Sequence, residues 1–405
     1  MRREPQKWEY SRETSFYNSD DYRSKFYKGK WEKAWIKDRI QYAITDRINL
    51  FEALWDGYTD KMEHIPKSLF KFYPFNQNSL KCLEANEVFM NDPNNFNDPF
   101  DCVLCANKME YLKQSLVEYL SETDAVNRGI LSLEELNKLK NSHCGSGERE
   151  NVYSTFNSVV SHICYDAALR EFRKGSDEIG EALHSFAIKY QQRMKELRKS
   201  VVRITSFSDI NKFKLTSYME LWSHYAQNHE GFCIEYDLTK SIMDNKENAM
   251  VLGGLLPCEY GARQVVLSKR KVYKYVNKIP FTAYEQMEFE KSILLSFLTK
   301  SSSWKYENEW RLLIPVDICK IYGNMIPFFP IKAIYIGCRM PIDNQEYLYR
   351  FAQRKNIDIY NMTMHEYNFE LEGDYSNKNI DEYFERKYEK RQRNLRDSRY
   401  KFWKY

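Results

Sequence analysis

The chain has 405 residues, 43% hydrophobic and 29% charged, with a formal net charge of +4. That composition excludes a disordered chain, and no apolar run approaches the roughly 18 residues of a membrane span. So small a positive excess at this length does not single out a nucleic-acid binder. The charged opening Met1–Lys7 has no apolar stretch of the kind a secretory signal needs. A cytoplasmic protein with its nine cysteines reduced is therefore expected.

Residues 1–66 read as a helical N-terminal extension. In WEKAWIKDRIQYAITDRINLFEALWDGY, Trp35, Ile36, Ile40, Ala43, Ile44 and Leu54 recur near helical spacing, and Pro66 closes the segment. SLFKFYPF alternates as a strand up to Pro74, EVFM is a second strand, and NDPNNFNDPFD is too rich in turn formers for regular structure. Residues 106–200, including VYSTFNSVVSHICYDAALREFRK, carry the three-to-four spacing of helices and predict a large helical insertion. From 201 the period changes. VVRITSFS, GFCIEYDL, MVLGGLLPCEYG, RQVVL, NEWRLLIPV, IPFFPIKAIYIG and NIDIYNMTM read as strands, and SYMELWSHYAQN and TAYEQMEFEKSILLSFLT as helices. The pattern predicts an α+β core over 67–105 and 201–372 with a mixed sheet, and neither G-x-G-x-x-G nor a P-loop is present. Residues 373–405 form a C-terminal helical extension, basic and aromatic. Its 385–405 portion sets nine Lys or Arg against three acids among tyrosines and a tryptophan, which suits either a nucleic-acid backbone or a helix folded onto the body.

Four stretches carry residue types suited to chemistry. In NNFNDPFD, Asn97, Asp98 and Asp101 fit a capped turn anchored by Phe96 and Phe100, or a loop offering carboxylate and amide groups to a ligand. In ITSFS, Ser206 and Ser208 share one strand face, without the G-x-S-x-G elbow of a hydrolase nucleophile. In LWSHYAQNHEGF, Trp222 and Tyr225 suit a buried helix face, and His224 and His229 are poorly spaced for a metal. Cys102 and Cys105, with His143 and Cys144, lack the tidy spacing of a structural zinc site, so no metal is expected. In WKYENEWRLL, a strand over 306–314 would set Glu307, Glu309 and Arg311 on one face, the carboxylates roughly 7 Å apart, with Trp310 behind them. Such a pair suits an acid or base, an anion facing a developing positive charge, or an ordinary salt-bridge ladder.

FKFYPFNQNSLKCLEANEVFMNDPNNFNDPFD, SFSD, LWSHYAQNHEGFCIEYDL, SSSWKYENEWRLL and IKAIYIGCRM together resemble the bacterial family called domain of unknown function 2971. The resemblance covers about 70–340, interrupted by the helical middle. The order of aromatic strand, serine strand and E-x-E strand is also similar to the ADP-ribosyltransferase superfamily. That likeness implies a split mixed sheet clamping NAD as substrate. It implies that Glu309 stabilises the oxocarbenium ion formed as nicotinamide leaves, that Glu307 assists the acceptor, and that Ser206 holds ribose and orients the acid. Tyr73 or Lys71 would contact NAD where superfamily members carry Arg or His, and Asn97, Asp98, Phe100, Tyr225 and His224 are further candidates for the same site. The implied activity is ADP-ribosyl transfer to a protein or nucleic acid, or hydrolysis of NAD, by a toxin or antiphage effector. Two other readings fit the residues. One is a Mg²⁺-dependent nuclease using Asp98 or Asp101 with the glutamates, against which Arg311 cannot act as a base. The other is a binding module in which Glu307, Glu309 and Arg311 form a structural ladder.

Overall fold

The computed structural model describes residues 31–142, 144, 159–161, 174–210, 218–240, 245–368, 370–375, 384–386, 388–390 and 392–393. Along the chain come helices α1 (Trp31–Asp46) and α2 (Leu50–Asp56), strand β1 (Ser68–Tyr73), α3 (Gln77–Ala85), β2 (Glu87–Phe89), α4 (Lys108–Glu122), α5 (Leu133–Asn141) and α6 (Lys174–Ser200). Then follow β3 (Val202–Ser208), α7 (Met219–Tyr225), β4 (Phe232–Asp237), α8 (Asn245–Gly254), β5 (Leu255–Pro257), β6 (Glu259–Gly261), α9 (Lys269–Val276) and α10 (Ala283–Leu298). The last are β7 (Thr299–Ser301), β8 (Glu309–Pro315), α11 (Val316–Tyr322), β9 (Met325–Pro327), β10 (Ile331–Ile336), α12 (Ile342–Lys355), β11 (Asp358–Met364) and β12 (Leu371–Tyr375). Capping boxes fix several starts: Asn49 with Glu52 opens α2, Ser132 with Glu135 opens α5, and Thr282 with Glu285 opens α10.

Eight strands form one mixed sheet in the order β12-β11-β10-β4-β1-β3-β8-β5, antiparallel throughout except for the parallel pair β10–β11. β1 pairs with β4 from Ser68↔Asp237 to Tyr73↔Phe232, and β3 pairs with β8 from Val202↔Pro315 to Ser208↔Glu309. Between β1 and β3, by contrast, the ladder holds only at Phe70↔Ser208. Beyond that pair the two halves of the sheet diverge.

Alternation along the strands builds three cores. Ile204, Leu256 and Leu313 pack under α1, α2, α4, α5, α6, α9 and α10. On the opposite face Leu69, Phe207, Ile234, Trp310 and Ile334 pack against α3, α8, α11 and α12. A third cluster joins Phe70 and Phe72 to Leu221 and Trp222 of α7, where Phe72 meets Trp222 edge-on at 5.1 Å.

The structure corrects three expectations. RQVVL is not a strand: Val266, 64% exposed, makes only an isolated bridge to Cys105. MVLGG ends helix α8 rather than starting a strand, because a Cβ at Gly253 would lie 2.7 Å from Trp55 Cα, and that closeness lets α8 pack on α2. The E-x-E strand begins at Glu309, not at 306. Most of VYSTFNSVVSHICYDAALREFRK and the tail from 394 to 405 lie outside the described residues. Among the described residues no helix is long and apolar enough to cross a membrane.

Candidate functional site

Upstream of β8, Ser302–Glu307 coils into a 3-10 turn, and Asn308 closes it in the left-handed conformation (φ 42°, ψ 56°), which asparagine tolerates better than most residues. This reversal removes the strand geometry expected for Glu307. The two carboxylates, instead of standing one strand repeat apart, converge on a single cation: Lys300 Nζ donates to Glu307 Oε2 at 2.6 Å and to Glu309 Oε2 at 2.7 Å. Lys300 comes from β7, which is held beside β6 in a small parallel pair.

Arg311, fully buried, completes the cluster from the next same-face position of β8. Its Nε donates to Glu309 Oε1 at 2.7 Å, one Nη to Asp101 Oδ2 at 2.7 Å, and the other Nη to the Phe297 carbonyl at 2.6 Å and to Cys102 Sγ at 3.1 Å. Tyr225 donates its hydroxyl proton to Glu307 Oε1 at 2.8 Å, and the Glu309 backbone N–H donates to the Tyr260 hydroxyl at 2.7 Å. With Glu307 ionised, three carboxylates face two cations and the cluster carries one net negative charge.

The two glutamates are held in different protonation regimes. Burial alone would raise the Glu309 carboxyl, but Arg311 and Lys300 outweigh it, and the group stays ionised far below the usual carboxylate range. For Glu307 burial prevails over Lys300, and the neighbouring Glu309 charge adds to it, so its pKa is raised. Of the two, Glu309 is the one whose ionised form the cations favour, and Glu307 the one whose neutral form burial favours. Burial and the Glu307 charge push the Tyr225 hydroxyl well up, so it remains a donor.

The cluster forms part of the wall of a cleft of about 1390 Å³ at the split between β1 and β3. Glu307, Glu309, Ser206, Lys71, Tyr73, Asn97, Tyr225 and His224 all line it, whereas Asp98 and Phe100 do not. Asp98 instead accepts from the Phe100 N–H in a local turn, and Phe100 is 71% exposed. It is Phe96, not Phe100, that anchors the loop, with the Arg311 guanidinium 5.6 Å from its ring centre. Ser206 and Ser208 share the Glu309 face as expected, but Ser208 is the residue directly opposite Glu309, while Ser206 lies opposite Arg311. Tyr73 is committed to the core, stacked on Phe232 with its hydroxyl paired to that of Tyr236 at 3.3 Å. Lys71 reaches across the split to donate to the Ser206 carbonyl at 2.8 Å, its ammonium near the rings of Tyr73 and Phe207. Desolvation there lowers its pKa to about 8.

No group of three or more His, Cys, Asp or Glu among the described residues is placed to hold a metal ion. Lys300 occupies the position between the carboxylates that a divalent cation would need, since its Nζ is also 3.8 Å from Asp101. Of the C-x-x-C set, Cys102 is buried and its thiol is pushed up by burial, and His143 lies outside the described residues.

Residues 221–312 match the family model described as Protein of unknown function (DUF2971). The matched stretch runs from α7 into β8 and so contains Tyr225, Lys300, Glu307, Glu309 and Arg311. Asp101, Ser206 and β1 lie outside the DUF2971 match. No curated protein and no solved structure matches the chain.

Sequence reasoning missed Lys300, Tyr260 and the part Asp101 plays in holding Arg311. Lys300 registers in the sequence only as the residue that stops an apolar helix. It stands seven residues before one acid and nine before the other, across an irregular turn, and no spacing rule singles it out.

Proposed function

We propose that the cleft is the active site of an NAD-consuming enzyme of ADP-ribosyltransferase type. It would cleave the bond between ribose and nicotinamide and pass ADP-ribose to a macromolecule or to water. The observation that carries the reading is the division of labour between the two acids on the cleft wall. Loss of a cationic nicotinamide needs no general acid; it needs a fixed anion beside the ribose carbon as positive charge develops there. Glu309, whose carboxyl Arg311 and Lys300 hold well below the usual carboxylate range despite its burial, would be that anion. The acceptor must lose a proton, and Glu307, with its raised pKa, is the group able to take it. Ser208 and Ser206 are the hydroxyls on the same strand face.

A binding module remains the second reading, favoured by one observation: both Glu309 oxygens already accept from Lys300 and Arg311. Incubating the purified protein with adenine-labelled NAD and cell extract separates the two. Label on protein, on nucleic acid or as free ADP-ribose is expected, with Glu309→Gln at least about 100-fold slower while retaining the wild-type circular dichroism. Wild-type protein that leaves NAD intact with every acceptor class refutes the enzyme.

A further inference from the structure

A second cavity, of about 590 Å³, lies at the other end of the β3–β8 ladder, where Val202 faces Pro315. One whole face of α10 forms its wall: Gln286, Phe289, Glu290, Ile293, Leu294 and Phe297, at helical spacing. Phe51 and Trp55 of α2 also line it. The volume falls in the range of small-molecule sites, and the lining is apolar with few polar groups. Among the described residues that line it there is no lysine, arginine or histidine, while Glu52, Glu290 and Asp317 are acidic.

Glu290 is the unexplained group. Glu52 is used by its capping box and Asp317 pairs with Lys320, but among the described residues Glu290 accepts only from Gln286 Nε2 at 2.6 Å. A carboxyl placed beside Phe289, Ile293 and Leu294 with no cation paired to it among the described residues costs stability, and burial raises its pKa. A ligand bearing an ammonium or N–H donor on an apolar body would relieve that cost.

We infer that this cavity is a binding site for a small aromatic amine or similar amphipathic cation, with Glu290 as its counter-ion. The site is joined to the acidic cluster by α10 itself. Phe297 lines the cavity while its carbonyl holds Arg311, and Lys300 follows two residues beyond the helix end. Occupancy should therefore tighten the segment 299–311. Ligand binding does not depend on the NAD reading and is measured without it.

Tryptamine and indole-3-propionate, matched in ring and opposite in charge, are the probes, titrated calorimetrically into the full chain. Tryptamine is expected to bind with slowed amide hydrogen exchange over 299–311, and indole-3-propionate at least about tenfold more weakly. Ile293→Trp, which fills the cavity, and Glu290→Gln, which removes only the charge, should each weaken tryptamine about tenfold or more. Equal binding of the two probes, binding of neither, or unchanged tryptamine affinity in Glu290→Gln would overturn the site. Binding that leaves exchange over 299–311 unchanged would overturn the coupling.

Discussion

Removing Lys300 tests the cluster most directly. Because Glu307 and Glu309 touch one nitrogen, their facing oxygens lie no more than about 5 Å apart. At an effective dielectric of 20, two like charges at that separation repel by about 3 kcal/mol. Lys300→Met leaves Arg311, bonded to Glu309 alone of the two, as the remaining cation against that repulsion, and breaking a buried pair costs about 3–5 kcal/mol. The loss should depend on pH with a definite sign. Glu307, already raised in the folded wild type, is raised further in the variant. Below the unfolded pKa both states of the variant hold the proton and the repulsion is absent. As pH rises through the folded pKa the repulsion appears, so the deficit grows from pH 5 to pH 8. Urea unfolding followed by tryptophan fluorescence should show a loss of about 3–5 kcal/mol at pH 8 and less than half of that at pH 5. Adding Glu307→Gln to Lys300→Met should restore about 2–3 kcal/mol, since the amide oxygen still accepts from Tyr225. A loss under about 1 kcal/mol at pH 8, or a double variant weaker than Lys300→Met alone, would refute the arrangement.

Tyr225→Phe removes a hydrogen bond that lowers the Glu307 pKa, so the acid limb of NAD turnover should move to higher pH while the plateau rate changes by only a few-fold. For Lys71, a folded pKa near 8 against 10.5 means that only the unfolded chain holds the extra proton between those values. The wild type should therefore gain stability over Lys71→Met as pH rises through that window, by about 3 kcal/mol in paired denaturation curves; a flat difference would contradict the buried ammonium. Gly231→Ala would set a Cβ 2.1 Å from the Tyr73 carbonyl oxygen and 3.0 Å from the Ala226 backbone. A destabilisation on the order of 3 kcal/mol is expected from thermal melts, and an unchanged melt would mean that the end of β1 yields freely.

Much of the sheet is legible in sequence because its strands have one consistent neighbour on each face. VVRITSFS and GFCIEYDL become β3 and β4 where the apolar pattern places them. The failures lie where a distant contact overrides local pattern. MVLGG has strand-like composition, yet the missing side chain at Gly253 admits Trp55 of α2, some 200 residues away in sequence, and the helix persists. RQVVL has the residue types of a strand but only a single bridge to Cys105. At the site, the glutamates and the serine strand are readable because acids flanked by aromatics are conspicuous. Arg311 is readable too, two residues beyond Glu309 on the same strand face, but Lys300 is not: it is separated from Glu309 by a turn whose reversal at Asn308 no periodicity encodes. Asp101 looks like one more turn former among several, and what distinguishes it is burial opposite Arg311.

The contact between Asp101 and Arg311 decides how the cleft acquires its charge. Lys300, Glu307, Glu309 and Arg311 come from one short run of chain, and their charges cancel. The excess comes from Asp101, made 210 residues before Arg311. At about 5–20 residues per second of synthesis, that carboxylate waits roughly 10–40 s for its partner to leave the ribosome. A chain severed within the helical middle would keep both glutamates and both cations, yet present an acidic strand with no net charge until the earlier half returned.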